Sequence, residues 1–332
     1  MKKINQLFLL SFLFLAVFIS SCEKNEETPA INESEVLATY LESTESPLKK
    51  DYVNTDMPTI IAASEVKTLN ETGQVYLIDI RSAADFATGH IKNSHNVAFA
   101  DLLTHIKTVT LANYTKVAIV CYTGQTAGYG ASLLRLMGYD KVFSLKWGMA
   151  SWNAAFAGKW NTAIGNGNAF ASQFTATATA KNVAGTMPVL TTGKTTGQEI
   201  LEARVTALLA EGFTPASVGN TTLFGNLTGY YIVNYWPADQ YADPGHVPGA
   251  VQYTPKASIK LSTDLKTIPA DKPVAVYCYT GQTSAFLTAY LRLLGYDAKS
   301  VLNGTNGMIY DKMVAKSMTT FSASQIMGYD YE

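Results

Sequence analysis

One block of this 332-residue chain occurs twice. Residues 118–140 and 275–297 align without a gap at a constant offset of 157, and 13 of the 23 positions are identical. The shared centre is Cys-Tyr-Thr-Gly-Gln-Thr, at 121–126 and at 278–283, followed by Leu-Arg-Leu and Gly-Tyr-Asp. Agreement of this density within one chain marks a duplication, and a duplication fixes the architecture as two copies of one fold. Weaker matches extend upstream: Tyr76-Leu77-Ile78-Asp79-Ile80-Arg81 against Tyr231-Ile232-Val233-Asn234-Tyr235-Trp236, and Gly89-His90-Ile91 against Gly245-His246-Val247. Residues 161–184, rich in Asn, Gly, Ala and Thr, lack the apolar periodicity of a core element, so the boundary is expected there.

Within each copy, strand-like and helix-like segments alternate. Val75–Ile80, Lys116–Val120 and Val142–Leu145 read as buried strands, as do Pro273–Tyr277 and Ala298–Leu302 in copy two. Ser82–Thr88, Ala127–Met137 and Ser284–Leu294 have helical composition, each followed closely by a glycine. Strands alternating with helices predict an α/β fold: two domains, each a parallel sheet flanked by helices. The expected organisation is an export segment over 1–21, a tether over 22–57, copy one over 58–160, a linker over 161–190 and copy two over 191–332.

Three cysteines in so long a chain do not form a disulfide framework. The first, Cys22, closes an N-terminal pattern of Lys2 and Lys3, an apolar run from Leu7 to Ile19, and Ser20-Ser21. The run is too short to span a bilayer and suits a signal-peptide core. Ile19-Ser20-Ser21-Cys22 resembles a bacterial lipobox, which implies that Cys22 is lipidated and becomes the mature N-terminus; the plainer alternative is an ordinary signal peptide with an incidental cysteine. The expectation is an exported body anchored by lipid at the bacterial cell envelope, on the periplasmic face or the outer membrane. The polar stretch after Cys22 reads as a solvated tether. With 25 Lys+Arg against 26 Asp+Glu, the net charge of −1 supplies no clustered positive charge for nucleic acid.

The other two cysteines occupy equivalent positions, each directly after a buried strand and separated from the predicted helix by five residues. Ligands of open parallel sheets bind at the carboxyl ends of the strands. A short glycine-containing loop there can turn its backbone N–H groups, together with the positive end of the following helix, toward the sulfur, favouring a thiolate. Apolar strand, Cys, loop and helix, preceded by Asp79-Ile80-Arg81 and Gly89-His90-Ile91, resembles the rhodanese (sulfurtransferase) domain over about residues 60–160 and 195–315. The resemblance implies that Cys121 and Cys278 are nucleophiles that take sulfane sulfur from a donor as a persulfide and pass it to an acceptor such as cyanide or a thiol. It further implies that Tyr122, Thr123, Gly124, Gln125 and Thr126, with Tyr279, Thr280, Gly281, Gln282 and Thr283, form the substrate-binding loops.

The loops depart from many rhodaneses in holding Thr126 and Thr283 where an arginine would meet an anionic donor, and neither loop contains Lys or Arg. A polysulfide or thiol persulfide then fits better than the thiosulfate dianion. The nearest cations expected are Arg81, at a strand end, and Lys146, after the next strand, with Trp236 and Asn303 near the corresponding places of copy two. Copy one is therefore expected to be the better catalyst with anionic donors. The sixth residue after each cysteine is Ala127 or Ser284, so a phosphatase, which clamps phosphate with arginine there, is not expected. His95 and His105 lack partners at metal-ligand spacing, and neither a metal nor another cofactor is expected. A non-catalytic rhodanese-like binding or sulfur-carrier module and an oxidation sensor are the competing readings.

Overall fold

The computed structural model describes residues 31–332, so the export segment, Cys22 and the first part of the tether lie outside the described residues. A helix, α1 (Glu33–Glu42), precedes copy one. The sheet of copy one contains β1 (Ile60–Ile61), β2 (Val75–Asp79), β3 (Ser94–Asn96), β4 (Lys116–Val120) and β5 (Val142–Leu145), in the order β1-β5-β4-β2-β3. Helix α2 (Gln125–Leu136) joins β4 to β5, and α3 (Gly158–Gly165) leaves the copy. Copy two opens with α4 (Gly197–Glu211), and its sheet is β6 (Ser217–Val218), β7 (Tyr231–Asn234), β8 (Val251–Gln252), β9 (Val274–Tyr277) and β10 (Ala298–Val301). The order β6-β10-β9-β7-β8 repeats that of copy one, with every pairing parallel in both sheets, and α5 (Gln282–Leu293) joins β9 to β10.

The central strands are apolar throughout because helices cover both faces of each sheet. Val117, Ala118, Ile119 and Val120 of β4, and Val274, Ala275, Val276 and Tyr277 of β9, are all fully buried. Helices α2 and α5 are the main contact between the copies and are themselves nearly all buried. Small residues permit the close approach: a Cβ on Gly128 would stand 3.1 Å from the Phe286 ring, and Ser132 donates to Phe286 O at 2.9 Å.

Three expected boundaries are corrected by the structure. Residues 33–42, read as tether, form a helix capped by Asn32 that buries Leu37, Ala38 and Leu41 against copy two. The glutamates that suggested solvation are partly consumed: Glu33 accepts from Thr192 N and Gly193 N at 2.8 and 2.9 Å, and Glu42 from Leu261 N at 2.8 Å. The linker over 161–190 begins inside α3 and then lies along copy two through backbone bonds between Thr175 and His246, burying Met187 and Leu190. Backbone pairing needs no apolar period, so composition does not announce it. Finally, the end of the segment assigned to copy two returns to copy one. Phe321 is fully buried between Trp147 and Trp160, Met327 N donates to Ser151 O at 2.9 Å, and Glu332 N donates to His90 O at 3.0 Å.

The first described helix and the C-terminal segment thus each pack on the copy they do not adjoin in sequence. Phe321→Ala would empty the centre of the Trp147–Trp160 cluster. A loss of about 3–5 kcal/mol of unfolding free energy is expected, measured by urea denaturation followed through tryptophan fluorescence.

Candidate active site

Both cysteines stand where a buried strand ends beneath a helix N-terminus. After Cys121 the chain turns through Tyr122 and Thr123 to Gly124, whose φ of +81° caps α2; Gly281, at +74°, caps α5 in the same way. The helices start two residues earlier than the pattern predicts, because the left-handed glycine lets Gln125 and Gln282 enter the first turn. The Cys121 Sγ accepts hydrogen bonds from Gly124 N at 3.1 Å and Ala127 N at 3.4 Å. In copy two the Cys278 Sγ accepts from Ser284 N at 3.3 Å, and its thiol donates to Ser284 Oγ at 3.6 Å. Two backbone N–H groups thus meet the Cys121 sulfur, and one meets the Cys278 sulfur.

Its electrostatic balance in copy one differs from the expectation of a lowered thiol pKa. Burial pushes the Cys121 thiol up, and the Asp79 carboxylate adds to this; the N–H groups of Ala127, Thr123 and Gly124 pull it back without prevailing. Cys121, a residue only 5 % exposed and part of the apolar core, favours the neutral thiol.

The two glutamines of the repeated hexapeptide serve the junction of the copies. Gln125 Oε1 accepts from Asn303 N at 2.7 Å and its amide donates to Asn303 Oδ1 at 3.0 Å, while Gln282 Oε1 accepts from Trp147 N at 3.0 Å. Each glutamine passes so close to the opposite capping glycine that a Cβ there would collide with its Oε1. Gln125 also donates to Thr123 Oγ1 at 3.1 Å and borders the cleft described below, so it belongs to the junction and to the site together.

Arg81 lies behind the copy-one loop. Its guanidinium pairs with Asp79, with Nη2 at 2.7 Å from Oδ2, donates to Gly89 O at 2.7 Å, and sits 5.1 Å from the Tyr122 ring. The arginine is 5 % exposed and holds the loop wall in place. In copy two Asn234 and Trp236 replace this pair, and Trp236, fully buried, stacks on Tyr279 with ring centroids 5.1 Å apart. Lys146 lies in a separate pocket with Ser64, Ser151 and Gln325. Its copy-two counterpart is Leu302 rather than Asn303: Met149 N and Thr305 N make the same bond to the cysteine carbonyls, so Trp147 is the residue equivalent to Asn303. One residue fewer between α5 and β10 shifts the offset.

A cleft of about 630 Å³ opens between the copies beside the first loop. Thr123, Gln125 and Thr126 line it from copy one, Phe213, Thr214, Ser217 and Asn303 from copy two. No residue of the second cysteine loop lines it, and Thr280 is buried where Thr123 is half-exposed. The cleft also brings in Lys159 of α3, which sequence reasoning missed. Lys159 is the one cation among residues 147–180 and sits between Gly158 and Trp160, a signal without a partner in the repeat. His90 and His246 make carbonyl contacts, His90 Nδ1 with Phe86 O at 3.0 Å and His246 Nδ1 with Tyr241 O at 2.8 Å. Among the described residues no cluster of three His, Cys, Asp or Glu could hold a metal, and no helix is long and apolar enough to cross a membrane.

The rhodanese-like domain model matches residues 62–155 and 227–308. The chain is 28% identical over 97 residues to thiosulfate sulfurtransferase GlpE of Shewanella oneidensis, covering 29% of this chain and 94% of that protein. It is 33% identical over 100 residues to GlpE of Ectopseudomonas mendocina, covering 29% and 85%. The crystal structure of SseA from Escherichia coli, titled for the rhodanese fold of 3-mercaptopyruvate sulfotransferases, aligns at 15% identity over 74% of this chain and 97% of that one, with a TM-score of 0.26.

Because burial raises the Cys121 thiol, its reaction with iodoacetamide is expected to climb with pH through a midpoint above that of an exposed cysteine, about 8.5. Peptide-resolved alkylation checks this; a midpoint near 7 would show that the N–H cradle outweighs burial.

Proposed function

The chain belongs to the rhodanese-like family, with two copies of that domain, and on that premise we propose that it is a sulfurtransferase working through Cys121. The observation that carries the reading is the Cys121 sulfur held between Gly124 N and Ala127 N at a helix N-terminus, beside a cleft that reaches the surface. The thiol loses its proton to solvent, and the thiolate attacks the outer sulfur of a donor such as thiosulfate, polysulfide or a thiol persulfide. With thiosulfate, the donor S–S bond breaks, sulfite leaves with the bonding pair, and a Cys121 persulfide anion forms. Loop N–H groups suit that anion as they suit a thiolate. Cyanide or a thiol then attacks the outer persulfide sulfur, and the bonding pair returns to Cys121 as thiolate. No cofactor enters either half.

Copy two supports the site more than it duplicates it. Cys278 is 1 % exposed, bonded to Ser284, and walled by the stacked Trp236 and Tyr279, so donor access favours Cys121. A non-catalytic binding role is therefore the better reading for copy two. We also place the protein at the bacterial cell envelope, lipid-anchored through Cys22, on the strength of Lys2, Lys3, the apolar run and Ile19-Ser20-Ser21-Cys22.

Sulfur transfer to cyanide is expected to fall at least about a hundredfold in Cys121→Ala, as for loss of a nucleophile, and to stay within about twofold in Cys278→Ala. Equal loss from both would refute the ranking, and full activity in the double variant would refute the chemistry. Cys22→Ser is expected to move the protein from the membrane to the soluble fraction of its host; unchanged membrane retention would contradict the lipid anchor.

A further inference from the structure

The cysteine loops contain no cation, yet the cleft beside loop one does. Lys159 is exposed, with its Nζ 4.3 Å from the centroid of the Tyr122 ring. Its field reaches Asp85, but it forms no ion pair among the described residues. The remaining polar lining is chiefly hydroxyls, those of Thr123, Thr126, Thr162, Thr214 and Ser217, and no Asp, Glu or second cation lines the cleft. One unpaired ammonium among hydroxyl donors is a surface for an anion.

The position of Lys159 is fixed by its neighbour. Trp160 is fully buried, and its Nε1 donates to Thr123 O at 3.3 Å, joining α3 to the cysteine loop. Phe321, from the returning C-terminal segment, stacks on the same indole with centroids 5.4 Å apart. The cation is thus supplied to loop one by a helix outside the repeated block. The cleft volume of about 630 Å³ lies within the usual range for small-molecule sites, about 300–1,000 Å³. Phe99 and Phe213 give it apolar lining for an organic arm.

We propose that Lys159 is the donor-specificity residue of copy one: its ammonium holds the negative group of a small anionic sulfur donor lying in the cleft between the copies, with the donor's outer sulfur directed to Cys121. This rests on Cys121 being the sulfur acceptor. It replaces the loop arginine with a cation from outside the loop, so anionic donors are accepted even though Thr126 occupies the last loop position. The lysine does no bond-making; it selects and positions.

Steady-state sulfur transfer from thiosulfate to cyanide by the full chain tests the proposal. Lys159→Gln is expected to raise the thiosulfate KM about tenfold, the worth of one charge-assisted hydrogen bond, while kcat stays within about twofold. Lys159→Arg should restore most of the loss. An unchanged KM in Lys159→Gln, with activity still abolished by Cys121→Ala, would overturn the role of Lys159 and leave the catalytic reading standing. Thiosulfate binding by calorimetry to Cys121→Ser, with and without Lys159→Gln, reads the same contact without turnover. Weaker binding in the double variant supports the proposal even where transfer is absent; equal binding, or none to either, overturns it.

Discussion

The reciprocal glutamine contact is the constraint on which both sites depend. Gln125 and Gln282 each occupy the first turn of the helix above a cysteine, and each reaches across the junction to a backbone N–H of the other copy. Both are buried, so breaking either bond would leave a buried polar group without its partner, at about 1–3 kcal/mol. The capping glycines belong to the same device, since only a residue without Cβ leaves room for the opposite amide. The cysteine loop of one copy is therefore shaped partly by the other, and α1 and the C-terminal segment, crossed over to opposite copies, reinforce the pairing.

From this common backbone the copies have diverged in chemistry. The Asp79–Arg81 pair behind the first loop is a buried, bidentate ion pair, with desolvation offset by the carbonyl of Gly89. Asn234 and Trp236 occupy the same strand end in copy two without charge. Ala127 leaves the Cys121 sulfur with backbone donors alone, whereas Ser284 gives Cys278 a hydroxyl partner that is itself bonded to Ser300 at 2.8 Å. Three substitutions thus separate a sulfur held by backbone donors beside a buried ion pair from one held by a hydroxyl behind a stacked aromatic wall, with no change in sheet order.

The duplication, the parallel sheets and the two cysteines were legible because repeated identity and apolar runs are local signals. Val75–Asp79, Lys116–Val120 and Val142–Leu145 appear within one residue of where the apolar runs place them. The roles of Gln125 and Gln282 were not legible: identical loops look the same whether retained for a ligand or for a pseudo-symmetric contact. Lys146 was misplaced because nearness in sequence to a strand end does not say which way a side chain leaves it. Lys159 was passed over because it lies outside the repeat, beside a tryptophan whose anchoring bond to Thr123 spans 37 residues. The docking of residues 33–42 escaped for a related reason, as glutamates that bind loop N–H groups read in sequence as solvent-facing.

The central claim is that sulfur is carried on Cys121. Intact-mass and peptide mass spectrometry after brief exposure to thiosulfate, under non-reducing conditions, tests it directly. The account predicts the mass of one added sulfur atom on the Cys121 peptide, removed by cyanide with release of thiocyanate, and little or none on the Cys278 peptide. An unmodified Cys121 alongside undiminished transfer activity, or sulfur found chiefly on Cys278, would contradict it.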